Sequence, residues 1–121
     1  MTAGELIQSE IPVLHLSDHI STALNFFDDY KLSQIPVLGP NGFLGLLDEE
    51  VVLDAALNHS LAGLKDRFRN ERIFNEQHLF EALSFFENGK LSVLPVVDQE
   101  DNYLGCITSK DLLLKTCEWL K

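Results

Sequence analysis

The chain has 121 residues, of which 45% are hydrophobic and 9% aromatic, and its 9 basic and 19 acidic side chains give a formal charge of −10. This composition is typical of one compact globular domain, and its acidic balance argues against non-specific binding to nucleic acids or anionic membranes. No window approaches the roughly 18 consecutive apolar residues of a membrane span. The first residues lack a basic region followed by an apolar core, so we expect no signal peptide and a cytoplasmic protein.

The first half of the chain predicts two helices and two strands behind a short leading segment. Apolar residues recur at i, i+3, i+4 and i+7 from Ile20 to Phe27, which predicts an amphipathic helix that Ser17 or Asp18 caps. Pro36 is expected to open the following strand, where its missing N–H is tolerated. The other predicted elements are a leading segment at Leu6–His15, strands at Ile35–Leu38 and Phe43–Leu47, and a helix at about Glu49–Asn58.

The second half repeats this order of elements. Residues Leu79 to Phe86 have the same helical spacing, and Asn75 or Glu76 is expected to open that helix. Between the halves, Ser60–Phe74 mixes basic and apolar residues, which predicts an ordered linker that ends in a short strand. The other predicted elements are a strand at Leu94–Asp98, which Pro95 opens, a strand at Tyr103–Ile107 and a helix over Ser109–Leu120.

An internal repeat relates the two halves. Shifting the chain by 59 aligns Ile20–Leu38 with Leu79–Val97, and nine of these nineteen positions are identical. One inserted residue then changes the offset to 60, and the match continues through Leu44/Leu104, Gly45/Gly105 and Leu53/Leu113. Unrelated segments do not agree at so many positions in register, so we interpret the chain as a duplicated unit.

Each repeated unit is too small to be stable by itself. With fewer than 60 residues, two strands and two helices, it cannot bury both faces of its sheet. We therefore predict an α/β fold of the α+β type, in which two pseudo-symmetric β-α-β-β-α units, residues 1–60 and 61–121, pack sheet to sheet. Clefts between packed units are common ligand sites.

The stretch from Leu91 to Leu113 carries a recognisable pattern. Leu-Ser-x-x-Pro-Val-Val-Asp is followed by Tyr-Leu-Gly-Cys-Ile-Thr-Ser-Lys-Asp-Leu-Leu. This pattern resembles a CBS motif, and the doubled chain from Leu6 to Leu120 resembles a CBS pair, also called a Bateman module. The resemblance implies a regulatory module that binds an adenosyl ligand (AMP, ADP, ATP, NAD or S-adenosylmethionine) in the cleft between its motifs. It also implies a homodimer that controls an attached or separate effector protein.

The resemblance implies a ligand contact on the second motif. In its Gly-x-x-Thr-x-x-Asp segment, Thr108 and Asp111 would contact the ribose, because a carboxylate can accept hydrogen bonds from both ribose hydroxyls. The alternative is that these two residues form an ordinary helix cap and that Lys110 is a solvated residue at the helix start. The implied ligand-binding set is Thr108, Lys110 and Asp111 for the ribose and phosphates, with Phe74, Leu94 and Pro95 for the base.

The first motif departs from this pattern. Asp48 stands where threonine belongs and Val51 where the ribose carboxylate belongs, so we expect this site to be degenerate. The position two before the proline, often basic in nucleotide-binding members, is Gln34 in the first motif and Val93 in the second. Three arginines of the linker could neutralise a phosphate, or could simply balance the surrounding acids: Arg67, Arg69 and Arg72.

The sequence contains no recognisable catalytic constellation. We find no nucleophile elbow, Walker A loop or GxGxxG stretch, and the four histidines lack metal-ligand spacing with Cys, Asp or Glu. Cys106 and Cys117 lie in apolar settings and are expected to be reduced and buried. We therefore predict no enzymatic activity, no metal site and no obligatory cofactor.

Two functions follow from these observations. In the first, the chain is a stand-alone ligand-sensing module and a homodimer, which signals to an effector by a population shift. In the second, it keeps the fold for dimerisation alone, as a ligand-free interaction module. Val51 and Val93 favour the second function, whereas the intact Thr108-x-x-Asp111 segment favours the first.

Overall fold

The computed structural model describes residues 1–7, 11–56, 59–87 and 90–120, which fold into two compact units. The N unit consists of Ile11–Asn70, and the C unit consists of Met1–Glu10 together with Glu71–Lys121. The division of the sequence repeat at residues 60 and 61 stays a prediction, and packing groups the chain differently. Within the described ranges, no helix has the length and apolar content that crossing a membrane requires.

The N unit contains a three-stranded sheet and two α-helices. The short strand β1 lies parallel to β2, and β2 is antiparallel to β3, which makes β2 the central strand. A 3-10 helix at Leu61–Arg67 follows the last helix. In chain order the elements are β1 (Leu14–His15), α1 (Ile20–Tyr30), β2 (Gln34–Gly39), β3 (Gly42–Asp48) and α2 (Glu49–Leu53).

The C unit repeats this topology, with β4 parallel to β5 and β5 antiparallel to β6. A 3-10 helix at Ala3–Leu6 belongs to the same unit. In chain order the other elements are β4 (Ile73–Phe74), α3 (Leu79–Phe86), β5 (Val93–Val97), β6 (Tyr103–Thr108) and α4 (Ser109–Leu120). The predicted mixed α/β fold and the order of its elements are therefore confirmed, and α4 has the predicted bounds.

Packing explains why the compact units differ from the sequence halves. Leu61 and Phe68 are buried in the apolar core of the N unit, beside Leu14 and Ile35, so residues 61–70 belong there. The N-terminal residues instead bond to the C unit: the Ala3 N–H donates to the carbonyl of Gln77 at 2.7 Å. The Gly4 N–H likewise donates to the carbonyl of Asn75 at 2.9 Å.

The residues predicted to begin the first helix of each unit, α1 and α3, were wrong. His19 is the N-cap of α1, while the Asp18 carboxylate accepts the N–H of His15 at 2.8 Å and so closes the preceding turn. His78 is the N-cap of α3, and its Nδ1 accepts the N–H of Phe80 at 3.2 Å. Local bonds in the turns before the helices thus determine where these helices begin.

Helix α2 is shorter than predicted, and residues 57 and 58 of the predicted helix lie outside the described ranges. The N–H of Ala55 donates to the carbonyl of Val52, three residues back, at 3.0 Å. This tighter bond closes the helix after Leu53 instead of extending it.

The prolines lie inside their strands, which corrects the prediction that they open them. Pro36 is paired with Leu46 of β3. The backbone N–H and C=O of Leu46 both bond to Arg69, at 2.8 and 2.7 Å, and therefore point away from β2. The β2–β3 ladder needs no donor at Pro36, so its missing N–H costs nothing there.

Candidate functional site

The candidate site is the turn where β6 passes into α4. Thr108 is the last residue of β6, and its hydroxyl oxygen accepts the N–H of Asp111 at 3.1 Å. The same hydroxyl donates to Oδ2 of Asp111 at 2.8 Å. Both residues are half-buried. The turn thus has the geometry of a helix cap, and it presents a carboxylate at the N-terminus of a twelve-residue helix.

The neighbouring strand fixes the position of this turn. Thr108 pairs with Val93, and the N–H of Ser109 donates to the carbonyl of Ser92 at 3.1 Å. Leu94 and Pro95 follow directly on β5, and both side chains are buried. Lys110 is exposed on the first turn of α4.

Phe74 is not brought together with this turn within the C unit. It pairs with Val97, whereas Thr108 pairs with Val93, four residues away along β5. At a rise of about 3.3 Å per residue, this separation is about 13 Å. Phe74, although exposed, therefore lies at the opposite end of the sheet from Asp111.

Gly105 is required by packing inside the C unit. Its φ is +152°, and a Cβ at this position would lie 2.3 Å from Cγ2 of Ile7. The corresponding Gly45 of the N unit is covered in the same way, because its Cβ would lie 2.7 Å from Cβ of Phe68. In each unit, the glycine before the turn thus accommodates a crossing segment of the chain.

The corresponding turn of the N unit holds a polar cluster that sequence reasoning missed. Asp48 is the N-cap residue of α2, but its carboxylate makes no hydrogen bond to that helix. Its Oδ1 instead accepts a hydrogen bond from Nε2 of Gln34 at 2.9 Å, and its Oδ2 accepts one from Nε of Arg69 at 2.7 Å. Gln34 is only 3% exposed, and Val51 is buried in the apolar core of the N unit. Aspartate in place of threonine was the one signal in the sequence, but nothing local identified Arg69 as its partner.

The linker arginines differ in their surroundings. Arg69 is paired with Asp48, and Nη1 of Arg72 contacts both carboxylate oxygens of Asp101, at 2.6 and 2.5 Å. Arg67 is exposed at the end of the 3-10 helix. The interpretation that such arginines balance nearby acids therefore describes Arg69 and Arg72.

The two cysteines are free thiols in different environments. Cys106 is buried and accepts the hydroxyl of Tyr103 at 3.3 Å, and burial raises its thiol pKa to about 12. Burial also raises the Tyr103 pKa well above its ordinary value. Cys117 is exposed, which corrects the prediction that it is buried. In the part of the chain that the structure describes, no three His, Cys, Asp or Glu residues are grouped to hold a metal.

Two repeated β-α-β-β-α units, the second with a Gly-x-x-Thr-x-x-Asp turn between strand and helix, define a paired module of the CBS type. The family model for the CBS domain matches residues 3–58 and 73–116. The chain therefore belongs to the CBS domain family.

Known proteins resemble the chain at low sequence identity. It is 24% identical over 114 residues to inosine-5'-monophosphate dehydrogenase of Methanocaldococcus jannaschii, covering 92% of the chain but only 23% of that enzyme. A CBS domain pair/ACT domain protein of Thermotoga maritima matches with a TM-score of 0.89, 24% identity and complete coverage of both chains. CBSX2, solved in complex with AMP, matches with a TM-score of 0.79, 17% identity and coverage of 99% and 98%. The structural matches establish the fold of the chain.

Proposed function

We propose that the chain is a regulatory module that binds one adenosyl ligand, at the Thr108–Asp111 turn of the C unit. The observation that carries the proposal is the Asp111 carboxylate, held half-buried by Thr108 at the start of α4. A CBS pair is typically a regulatory module, and the similar CBSX2 was solved with AMP.

The chemistry of the turn suits a ribose. A carboxylate has about four lone-pair positions, so the bond from Thr108 leaves capacity for two ribose hydroxyls at Asp111. The N-terminus of α4 favours an adjacent anion, and the exposed Lys110 supplies a cation that can reach a phosphate. Backbone groups beside Leu94 and Pro95 complete the proposed set.

One site per chain follows from the difference between the two turns. In the N unit, both Asp48 oxygens already accept bonds, from Gln34 and Arg69, and Val51 offers no acceptor where Asp111 stands in the C unit. A ribose there would compete with Gln34 and Arg69 for Asp48 and, with Val51 in place of a second carboxylate, would gain no contact like the one proposed at Asp111. Degeneracy of this turn, expected from its sequence, therefore remains part of the proposal.

The net charge of the chain predicts an order of affinity among the adenosyl ligands. A formal charge of −10 opposes the approach of a triphosphate more than that of a monophosphate or an uncharged nucleoside. AMP, adenosine and S-adenosylmethionine should therefore bind at least as tightly as ATP without magnesium. By the same argument ADP falls between AMP and ATP, whereas NAD, whose nicotinamide cation offsets one of its two phosphate charges, falls with AMP.

Signalling requires at least two arrangements of the protein, one of which the ligand binds more tightly. We expect the ligand to favour one arrangement within a cytoplasmic homodimer, which a separate effector protein reads. The exposed side of α4 suits such a dimer, because Leu113, Leu114 and Leu120 are 63%, 53% and 69% exposed. Light scattering is expected to give twice the chain mass at micromolar concentration, and a monomer mass would contradict the dimer.

A thermal-shift panel tests the ligand proposal. AMP, adenosine, S-adenosylmethionine, ADP, NAD and ATP, with and without magnesium, are added to the wild type, Asp111→Asn and Glu118→Gln. A ligand at about a hundred times its dissociation constant stabilises the folded state by about 2.7 kcal/mol. We expect this shift in the wild type and in Glu118→Gln, whose exposed carboxylate lies near the other end of α4, but a reduced shift in Asp111→Asn. Equal shifts in all three proteins would refute the ribose contact.

The second candidate is a ligand-free interaction module. It is favoured by the mutual bond of Thr108 and Asp111, which is already a complete helix cap. A dimer mass by light scattering combined with no thermal shift at millimolar adenosyl ligand would support this candidate over the first.

A further inference from the structure

A cavity of about 490 Å³ lies within the N unit, where β1 and β2 end. From this cavity we infer a second small-molecule site, separate from the Thr108 turn, that takes an uncharged aromatic or heteroaromatic molecule. Its volume lies in the range of about 300–1,000 Å³ that is usual for small-molecule pockets. The side chains that decide its chemistry are His15, Leu16, Ser17, Leu38, Pro40 and Ser60.

Backbone hydrogen bonds hold the walls of the cavity in place. The N–H of Leu16 donates to the carbonyl of Leu38 at 3.1 Å, which joins the walls contributed by β1 and β2. The Asp18 N–H donates to the carbonyl of His15 at 2.9 Å, and the Asp18 carboxylate accepts the His15 N–H at 2.8 Å. The N–H of Leu61 donates to the carbonyl of Asp18 at 2.8 Å, which fixes the wall around Ser60. A cavity bounded in this way is preformed, so a ligand pays little to order it.

The lining determines the class of ligand. Leu16, Leu38 and Pro40 offer flat or aliphatic surface, which suits an aromatic ring, and hydroxyls from Ser17 and Ser60 offer hydrogen bonds to a ring heteroatom. A carboxylate lies beside this lining, because Oδ2 of Asp18 is 3.9 Å from Nδ1 of His15. That carboxylate and the charge of −10 disfavour an anion.

This site is specific to the N unit by sequence. In the repeat, the counterparts of Leu16, Ser17 and Gly39 are Asn75, Glu76 and Asp98. Two acids and an amide therefore replace the apolar and small lining, so duplication has not copied the chemistry of the cavity. The site also lies in a different unit from Asp111, so it can exist whether or not an adenosyl ligand binds there.

The experiment is a titration with indole, followed by the backbone amide shifts of the full chain in two-dimensional NMR. Indole-3-acetate serves as the anionic counterpart with the same ring. Ala62→Phe places a large side chain at a residue that lines the cavity. Gly63→Phe is the matched control, because it adds the same side chain at the next position, where a Cβ meets nothing within 4 Å.

We expect saturable shifts at Leu16 and Gly39 with a dissociation constant of about 1 mM, the strength usual for so small a ligand. Indole-3-acetate should bind the wild type at least roughly threefold more weakly than indole does. For indole, Ala62→Phe should lose at least about tenfold in affinity, and Gly63→Phe should have the affinity of the wild type. No saturation in the wild type by about 10 mM indole, unchanged affinity in Ala62→Phe, or shifts centred on Thr108 would overturn the inference. Equal or tighter binding of indole-3-acetate would overturn the assignment of an uncharged ligand.

Discussion

Substituting Gly105 is predicted to destabilise the C unit strongly. An alanine Cβ would lie 2.3 Å from Cγ2 of Ile7, and φ at this position is +152°, where residues with a side chain are strained. Overpacking costs about 1–3 kcal/mol and an unfavourable backbone conformation about 1–3 kcal/mol. Together they give a loss of about 2–6 kcal/mol in Gly105→Ala, a large share of the usual 5–15 kcal/mol of a domain.

Urea and thermal denaturation, followed by circular dichroism, measure this loss. For a chain of this length, about 3 kcal/mol lowers Tm by roughly 10 °C. Adding Ile7→Ala removes the methyl group in the way but leaves φ unchanged, so the double variant should recover about 1–2 kcal/mol relative to additivity. The matched control is Gly63→Ala, where the new Cβ meets nothing within 4 Å.

Two results would refute this reasoning about Gly105. One is a Gly105→Ala protein within about 0.5 kcal/mol of the wild type, which would mean that Ile7 does not press on the glycine. The other is strict additivity of the two substitutions, which would mean that the loss comes from the backbone alone. Gly63→Ala should stay within about 0.5 kcal/mol of the wild type in either case.

Two further predictions concern titratable groups. With a pKa of about 12, Cys106 is a thiolate in only about one molecule in ten thousand at pH 8. A thiol reagent should therefore label only Cys117 in the native protein and both cysteines in urea. Labelling of both cysteines in the native protein would contradict the burial of Cys106. Hydrogen bonds from the backbone and side chain of Asn102 lower the Asp98 pKa from 3.8. The ionised Asp98 carboxylate therefore stabilises the folded state above pH 3.8, and this stabilisation is lost as the pH falls through the pKa of the folded protein. Asp98→Ala should therefore cost more stability at pH 6 than at pH 2, and an equal cost at both would contradict the bonds.

Local patterning predicted most of the secondary structure. The spacing of apolar residues defined α1 and α3, and the run after Thr108 defined α4, because each pattern reports which residues one element can bury. The internal repeat then predicted two units of one topology, which the sheets confirm. The Thr108 cap was also visible, since its two partners lie three residues apart.

Features that depend on tertiary partners could not be predicted. The Asp48–Arg69 pair joins residues 21 positions apart, and the tolerance of Pro36 depends on Leu46 bonding to Arg69 instead. The exposure of Cys117 shows the same limit, because an apolar sequence does not reveal which side of α4 is covered. Each of these depends on which distant segment lies alongside.

Calorimetric titration with AMP is the most direct test of the central claim, one adenosyl ligand held by Asp111. For the wild type we predict one AMP per chain, and for Asp111→Asn an affinity that is about ten- to a hundredfold weaker, the loss expected for a bidentate contact to a carboxylate. Glu118→Gln should bind as the wild type does. Two AMP molecules per chain, or an Asp111→Asn protein that binds AMP as tightly as the wild type, would contradict the account.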